Sequence, residues 1–315
     1  MKYFEKKNIY IISYHYIKEK NNNDLCLLNY LDFSKFKNQI NHFKKHFKIL
    51  DNEEFCHIIK TKKIPNFVCI LLTFDDGYKD HYKYAYPVLS ENNISGIFYT
   101  PINSLLRKSI LEVNKVQLLL SKKNPKKLIQ IISKKLEKFD LNLTDLINKN
   151  FRKFKKYDSE DVMIIKSLLN NKYYKLLEDN IRSELLDNLF EEAFKMNEVQ
   201  LMNEMYLSEK DLIEMDRMNM SFGIHGVSHT RLPLLSEKNI KWEINQSINT
   251  FKKLNIRTDF LSLCYPNGSF NDNVLKVIEE TKIKFSCTTN IGSINYNNIT
   301  NIHVLPRIDT NEIKI

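Results

Sequence analysis

Short apolar runs separated by stretches with helical periodicity recur along this chain, and this alternation limits the possible folds more than any other feature. Several runs are apolar almost without interruption, which is typical of strands that are covered on both faces. Strands that alternate with helices favour a parallel sheet or a barrel, so we predict an α/β fold. The predicted strands are residues 9–14, 67–74, 96–100, 221–225, 260–265, 284–288 and 303–307.

The segments between these strands carry helix signals. Residues 33–47 have apolar side chains at positions 33, 36, 40, 43 and 47, which form one stripe along a helix. Ser208 predicts the start of a helix that runs to about residue 218, because a serine at this position can cap free backbone N–H groups. Ser236 predicts a second helix to about residue 254, and either Asn271 or Asp272 predicts the start of a third.

The stretch from about residue 105 to about residue 205 differs from the rest of the chain. It has no strand-like run and no glycine, Pro125 is its only proline, and Lys, Leu, Ile and Glu predominate. A flexible linker would be richer in turn-forming residues. We therefore predict a single domain over residues 1–315, interrupted by a helical insertion at about 105–205.

The formal net charge of +10 bears on the choice of partner. A basic surface attracts nucleic acid, anionic lipid or phosphorylated ligands. The lysines are dispersed and no nucleic-acid recognition motif accompanies them, so we expect no nucleic-acid partner. Peripheral contact with anionic lipid or with a lipid-linked substrate stays open as an alternative.

The five cysteines and the apolar segments bear on location. The cysteine count is odd and no Cys-x-x-Cys pair occurs, which argues against a disulfide framework or a structural zinc knuckle. No run approaches the roughly 18 apolar residues of a transmembrane span. The apolar run at 9–13 is too short for a signal-peptide core. We therefore expect a cytoplasmic protein without a transmembrane segment.

The first motif that carries chemistry follows the predicted strand 67–74. Asp75 and Asp76 are adjacent carboxylates at the strand end, and Gly77 follows them in a turn. Two carboxylates in one place resist joint ionisation unless a cation or a hydrogen bond separates their roles. The pair therefore predicts one metal ligand and one general base. The alternative is an ordinary turn, in which Asp-Gly is common.

The second motif contains two histidines four residues apart. His225 and His229 follow the predicted strand 221–225 and converge on one ion if the backbone turns after that strand. Two imidazoles and one carboxylate suit zinc and similar ions and leave a position open for water and substrate. His42 and His46 have the same spacing, but they lie off the apolar stripe of a Lys-rich helix, and we interpret them as a solvated pair.

The third motif is a turn at another predicted strand end. Tyr265, Pro266, Asn267 and Gly268 follow one another after the apolar run 260–265. Such a rigid turn could present a backbone N–H toward the site. A turn that merely ends the strand is an equally good interpretation of these residues alone.

Together the three motifs resemble the polysaccharide deacetylase family, which includes chitooligosaccharide, peptidoglycan and poly-N-acetylglucosamine deacetylases. Residues 73–77 are similar to its Thr-Phe-Asp-Asp-Gly motif, residues 225–229 to its His-x-x-x-His motif, and residues 265–268 to the Tyr-Pro-Tyr-Gly form of its third motif. The motifs stand in the family's order. The resemblance covers about residues 8–104 and 206–309, and the insertion has no counterpart in the minimal family domain.

The resemblance implies a distorted (β/α) barrel of about seven strands and a metal-dependent carbohydrate de-N-acetylase. It gives Asp76, His225 and His229 as ligands of a divalent metal, most simply Zn²⁺, although the same set accepts Co²⁺, Ni²⁺ or Mn²⁺. It gives Asp75 as the general base and the backbone N–H of Asn267 as part of an oxyanion hole. The resemblance implies an N-acetylated amino sugar as the substrate, and the expected cytoplasmic location favours a nucleotide-linked or lipid-linked sugar, or a surface glycan before export, over extracellular chitin or peptidoglycan.

Two departures from the family pattern concern the groups around the base. The family often has an Arg two residues before the third-motif proline, where this chain has Cys264. We expect Arg307 to supply that charge, the alternative being a structural salt bridge with Asp309. The chain also lacks the C-terminal Leu-x-His motif that supplies the general acid in many members. The Tyr-His pair that contains His15 resembles the arrangement of poly-N-acetylglucosamine deacetylases, so we expect His15 to be the acid, with His303 in reserve.

The remaining assignments concern the substrate. We assign Tyr78, Tyr265 and Pro266 to substrate binding, and we expect an N-acetylated saccharide as the partner. Two alternatives stay open: hydrolysis of a non-sugar amide on the same metal site, and a non-catalytic glycan-binding homologue. A pure binding protein would have no need of a base beside an open metal position, which favours an enzyme.

Overall fold

A computed structural model describes residues 4–19, 30–150, 159–170, 175–194, 198–295, 299 and 301–313. Backbone contacts divide these residues into two compact units. The barrel unit comprises the described residues up to 109 and from 199 onwards, and the helical unit comprises those between 110 and 198. All of the described strands lie in the barrel unit.

The barrel unit contains a closed parallel barrel of seven strands, which confirms the predicted fold class. The order around the barrel is β1, β10, β9, β8, β7, β6 and β5, and β5 closes it by pairing with β1. On the side of β5 that faces away from β1, the short strand β4 pairs with the first half of β5, and β6 pairs with its second half. The strands are β1 (Ile9–Tyr14), β2 (Ile17–Lys18), β3 (Leu31–Asp32), β4 (Lys48–Leu50), β5 (Cys69–Phe74), β6 (Ile97–Thr100), β7 (Ser221–Ile224), β8 (Leu263–Cys264), β9 (Ser286–Ile291) and β10 (Leu305–Asp309).

Thirteen α-helices occur among the described residues, and none of them is both long and apolar enough to cross a membrane. One π-helical turn (His81–Ala85) precedes the third helix. The helices are α1 (Phe33–His46), α2 (Asn52–Thr61), α3 (Tyr86–Glu91), α4 (Ile102–Leu105), α5 (Glu112–Lys122), α6 (Pro125–Leu136), α7 (Leu143–Asn150), α8 (Glu160–Asn170), α9 (Asp179–Ala193), α10 (Glu198–Met205), α11 (Glu209–Arg217), α12 (Glu237–Lys253) and α13 (Asp272–Glu279).

The predicted helix starts are confirmed by side-chain caps. Ser208 accepts the N–H of Asp211, whose carboxylate accepts the N–H of Ser208 in return, so α11 begins with a capping box. Ser236 caps α12. Asn271, and not Asp272, caps α13. Each such cap satisfies a backbone donor that the helix itself leaves unpaired, and stabilises the helix by about 1 kcal/mol.

Helix α1 buries the stripe that its periodicity predicted. Phe36, Ile40 and Phe43 are fully buried against the barrel. Burying a side chain of this size stabilises the fold by about 1.5–3 kcal/mol. His46 on the same helix is exposed and His42 is half-buried.

The barrel strands alternate between two apolar clusters. In β1, Tyr10, Ile12 and Tyr14 belong to the cluster that includes the stripe of α1, whereas Ile9 and Ile11 belong to a second cluster with residues of other barrel strands. Because successive side chains of a strand point to opposite faces, the second cluster fills the barrel and the first packs under the helices. This alternation determines which residues at the strand ends point inward.

Three strand boundaries differ from the prediction. The segment around Phe260 is apolar but enters the sheet only at Leu263, so β8 has two residues. Strand β9 continues to Ile291, and its last three residues are exposed, so the strand extends beyond the core. His303 lies before β10, not within it, and β10 runs on to Asp309.

Candidate metal and catalytic site

The carboxylate pair sits where β5 ends. Asp75 continues the inward series of Leu71 and Thr73, so its side chain points into the barrel mouth. Asp76 would point outward if the strand continued, but its backbone adopts the left-handed region with φ 70°. A non-glycine residue pays a conformational cost there, and such strain is concentrated at functional sites. Both carboxylates are thereby buried at the same end of the barrel.

The three predicted metal ligands come together. Asp76 Oδ1 lies 3.3 Å from His225 Nε2 and 3.4 Å from His229 Nε2. Their potential ligand atoms all lie within 4.8 Å of one another. Among the described residues one other group meets this criterion, namely Asp75, His225 and Cys264. That second set fits a metal less well, because both oxygens of Asp75 already accept hydrogen bonds from an arginine.

The orientation of His225 shows that the donor set suits a cation. Its Nδ1 lies 2.8 Å from the carbonyl oxygen of Cys264, which can only accept, so Nδ1 carries the hydrogen. In the neutral ring Nε2 then presents a lone pair to the carboxylate of Asp76. Such a contact is favourable only with a proton or a metal ion between the two atoms. The residues therefore fit a divalent metal.

The pKa values of the two histidines follow from this arrangement. Burial lowers the pKa of His225, but the hydrogen bond with Asp76 and the nearby carboxylate charges outweigh it and raise that pKa above 6.5. Burial lowers the pKa of His229 to about 4, despite the charge of Asp76. Of the two histidines, His225 therefore binds a proton more strongly than His229.

The histidine turn is braced from helix α12. The Glu243 carboxylate accepts the N–H of Val227 and, at 2.8 Å, the hydroxyl of Ser228. Sequence reasoning missed this residue. The sequence did contain a signal for it, because Glu243 is an acidic residue on the apolar face of a helix, next to the fully buried Ile244. A buried carboxylate needs partners, and the partners of Glu243 fix the loop between the two histidines.

Tyr78 is placed differently from the expectation that it binds substrate. Its side chain is 1% exposed, and its hydroxyl donates to Asp76 Oδ2 at 2.7 Å. The ring of Tyr16 stacks on it with a centroid distance of 3.9 Å. Burial raises the pKa of Tyr78 well above its ordinary value, so the hydroxyl stays a donor. Its contacts are those of a group that orients a metal ligand.

Arg307 pairs with Asp75, not with Asp309. Its guanidinium donates to Asp75 Oδ1 at 2.8 Å and to Oδ2 at 2.7 Å, and each side chain is 3% exposed. Asp309 instead caps the turn that follows β10 by accepting the N–H of Asn311. Burial alone would raise the pKa of Asp75, but the Arg307 charge outweighs it and holds that pKa well below 3.8. Asp75 is therefore ionised at neutral pH.

The two candidates for the general acid occupy different ends of the barrel. His15 follows β1, and its Nε2 lies 3.7 Å from Asp75 Oδ2, with 43% of the side chain exposed. His303 precedes β10 and is buried, with Nδ1 3.1 Å from Ser286 Oγ. Because the strands are parallel, the start of β10 lies at the end of the barrel opposite the carboxylates. The geometry favours His15.

The third motif borders the histidine turn. A Cβ at Gly226 would lie 3.7 Å from the Pro266 ring. Tyr265 is fully buried, and its hydroxyl donates to the carbonyl of His303 at 2.8 Å, so its side chain is placed for packing and not for the predicted substrate contact. Asn267 is exposed with φ 56°, and the hydrogen bonds that close the turn come from the two residues after it. The turn's own hydrogen bonds therefore do not use the N–H of Asn267.

Comparison with known proteins confirms the predicted resemblance to the polysaccharide deacetylase family. The family model described as polysaccharide deacetylase matches residues 179–286, about a third of the chain, including both histidines and the third motif. No curated protein matches the sequence.

Three solved structures share the fold over nearly the whole chain. The Streptococcus pyogenes deacetylase PplD in complex with acetate has a TM-score of 0.60 and 18% identity, covering 97% of this chain and 93% of that one. IcaB from Ammonifex degensii has a TM-score of 0.55 and 11% identity, with 98% and 94% covered. The BpsB deacetylase domain from Bordetella bronchiseptica has a TM-score of 0.52 and 11% identity, with 97% of each chain covered.

Proposed function

We propose that this protein is a metal-dependent hydrolase that removes the N-acetyl group from an amino sugar, releasing acetate and a free amine. The observation that carries the proposal is the convergence of Asp76, His225 and His229 beside the buried, ionised Asp75. The family match and the fold shared with deacetylases support the reaction class. One of those structures, PplD, contains acetate, which is the product expected of deacetylation.

Asp76, His225 and His229 would hold the metal. Zn²⁺ suits one carboxylate and two imidazoles, and Co²⁺, Ni²⁺ and Mn²⁺ are compatible with the same donors. A divalent ion bound there supplies two effects: it lowers the pKa of a water and polarises the acetamide carbonyl. Tyr78 and Glu243 serve this function indirectly, because the first orients Asp76 and the second fixes the loop between the histidines.

The residues of the chain divide the proton transfers between them. Asp75 accepts a proton from the attacking water while the oxygen of that water bonds to the acetamide carbon. The backbone N–H of Asn267 donates to the carbonyl oxygen as negative charge develops there. Protonated His15 gives its proton to the amine nitrogen as the C–N bond breaks. The ion pair with Arg307 keeps Asp75 ionised and fixes the direction of its oxygens.

The proposed substrate is an N-acetylated amino sugar within a glycan, a lipid-linked saccharide or a nucleotide-linked saccharide. The net charge of +10 favours a substrate that carries phosphate over a neutral one of the same size. The buried Pro266 lies beside the histidine turn and the exposed Asn267 follows it, and these two residues are the proposed contacts at the third motif.

The test is acetate and amine release by purified protein, first stripped of metal with a chelator and then reconstituted with Zn²⁺ or Co²⁺. The substrates are N-acetylglucosamine oligomers, nucleotide-linked N-acetyl sugars and, as the matched alternative, cyclic and linear non-sugar amides. The proposal predicts equal amounts of acetate and amine from the sugars, only after reconstitution. If only the non-sugar amides are hydrolysed, the substrate is an amide other than an amino sugar. If saccharides bind but no acetate or amine is released, the protein is a binding protein.

A further inference from the structure

His81 is a buried titratable residue that the mechanism above does not use. It begins the single π-helical turn of the chain's described residues, His81–Ala85, six residues after the base. Its ring is fully buried among aromatic rings, with Phe74, Tyr78 and Phe98 at centroid distances of 5.5, 5.7 and 5.8 Å. Insertions of this kind in a helix are frequent at functional sites. A polar ring in such surroundings calls for a specific contact.

The contact is with the backbone of the proposed general acid. His81 Nε2 lies 2.8 Å from the carbonyl oxygen of His15, 66 residues earlier in the chain. A carbonyl oxygen only accepts, so the hydrogen is on Nε2. Nδ1 has no partner among the described residues, and a proton there would be buried without an acceptor. Burial accordingly lowers the pKa of His81 to about 4. His81 is therefore a neutral donor.

The loop that carries His15 is held at three successive carbonyl groups. The carbonyl of Tyr14 accepts the N–H of Asp75 at 2.9 Å, and that of Tyr16 accepts the N–H of Leu31 at 2.9 Å. Between them, the carbonyl of His15 accepts from a side chain, that of His81. The imidazole of His15 is 43% exposed and reaches within 3.7 Å of Asp75, so its position depends on how firmly its backbone is fixed.

We propose that His81 is a positioning residue for the general acid: it holds the main chain of His15 so that the imidazole stays beside Asp75 and the leaving nitrogen. This inference rests on the proposed function. The contacts of His81 described above are with the carbonyl of His15 and with aromatic rings, so its proposed effect on the reaction acts through His15. Its loss leaves a part-buried carbonyl without a donor, and the His15 loop then moves toward another partner. A displacement of about 1 Å at a reacting group can cost on the order of 100-fold in rate.

The test compares two leaving groups in the metal-loaded protein. An N-acetylglucosamine oligomer needs a proton on its nitrogen when the C–N bond breaks, whereas 4-nitrophenyl acetate releases its phenolate as an anion when the C–O bond breaks. His81→Phe removes the donor and keeps an aromatic ring among aromatic neighbours. His81→Gln keeps an amide N–H at about the reach of Nε2. His46→Phe, on the exposed face of α1, is the matched control.

We expect His81→Phe to lower kcat for the amide about 10- to 100-fold with KM and metal content unchanged, while turnover of the ester stays at the wild-type rate. His81→Gln should restore most of the amide rate, and His15→Ala should show the same selectivity for the ester. If His81→Phe does not fold, His81→Asn takes its place, since its shorter amide does not reach the carbonyl, and the same selectivity is expected.

Two results would overturn the inference while leaving the proposed function intact. In the first, the His81 variants cleave the amide at the wild-type rate. In the second, the rates for amide and ester fall in equal proportion, which would mean that His81 supports the whole site and not the acid. A wild-type protein that releases acetate from none of the proposed N-acetylated sugars in a metal-dependent way would refute the proposed function, and the role of His81 with it.

Discussion

Replacing Arg307 by methionine should destabilise the barrel unit strongly, because it leaves a buried carboxylate without its counter-charge. Arg307 donates to both oxygens of Asp75 and also to the carbonyl of Thr288 at 2.9 Å. Removing one partner of such a buried pair typically costs about 3–5 kcal/mol. With a urea dependence of about 3 kcal/mol per M, this cost lowers the unfolding midpoint by about 1–2 M.

The chain offers a convenient probe for this measurement. Trp242 is its only tryptophan and lies half-exposed on α12, in the barrel unit, so its fluorescence reports on that unit. Urea unfolding is followed with chelator present, so that metal binding does not contribute. Asp75→Asn combined with Arg307→Met removes both charges, and the double variant should lose less than the sum of the two single losses by about 2–3 kcal/mol.

The difference in stability between the wild type and Arg307→Met should also change with pH in a predictable direction. In the wild type the pKa of Asp75 lies below its ordinary value, so its contribution is present at neutral pH and is lost only as the pH falls through that low pKa. In Arg307→Met, burial without a counter-charge raises the pKa of Asp75, so the variant loses stability as the pH rises. The stability gap should therefore be wider at about pH 7 than at about pH 5. A loss below about 0.5 kcal/mol, or a gap that widens on acidification, would refute this reasoning.

Three further predictions concern the metal site. Tyr78→Phe should lower metal affinity by about 10- to 100-fold with the fold retained, which metal titration monitored by calorimetry would measure; unchanged affinity would contradict the orienting role of its hydroxyl. Glu243→Gln should destabilise the barrel unit by about 1–3 kcal/mol and lower metal affinity as the loop loosens, and an effect on neither urea unfolding nor metal titration would count against it. Metal affinity should fall on acidification, because the raised pKa of His225 lets protons compete with the metal ion for its ring nitrogen; a pH-independent affinity between about pH 6 and 8 would exclude this ligand.

The sequence predicted those parts of the fold that depend on local pattern. The stripe of α1 and the caps Ser208 and Ser236 are local, since each involves residues within one or two turns. The meeting of Asp76 with His225 and His229 was predicted because parallel strands end at one rim and the motifs follow strands. The short β8 was not predicted, because the apolar character of 260–265 reflects burial as well as strand pairing.

The supporting contacts of the site depend on tertiary structure that one sequence does not display. Glu243 meets the histidine turn from a neighbouring helix, and His81 meets the backbone of His15 across 66 residues. Tyr78 was assigned to substrate binding, but its hydroxyl donates to the carboxylate of Asp76, whose backbone is in the left-handed region. Periodicity predicts which face of an element is buried, but not which polar atoms meet there.

The most direct test of the central claim, the division of labour between the two adjacent carboxylates, compares metal content and acetate release in the wild type, Asp75→Asn and Asp76→Asn. The account predicts that Asp75→Asn keeps about one metal ion per chain and loses turnover, whereas Asp76→Asn loses the metal as well. Turnover by Asp75→Asn at the wild-type rate, or full metal content in Asp76→Asn, would contradict it.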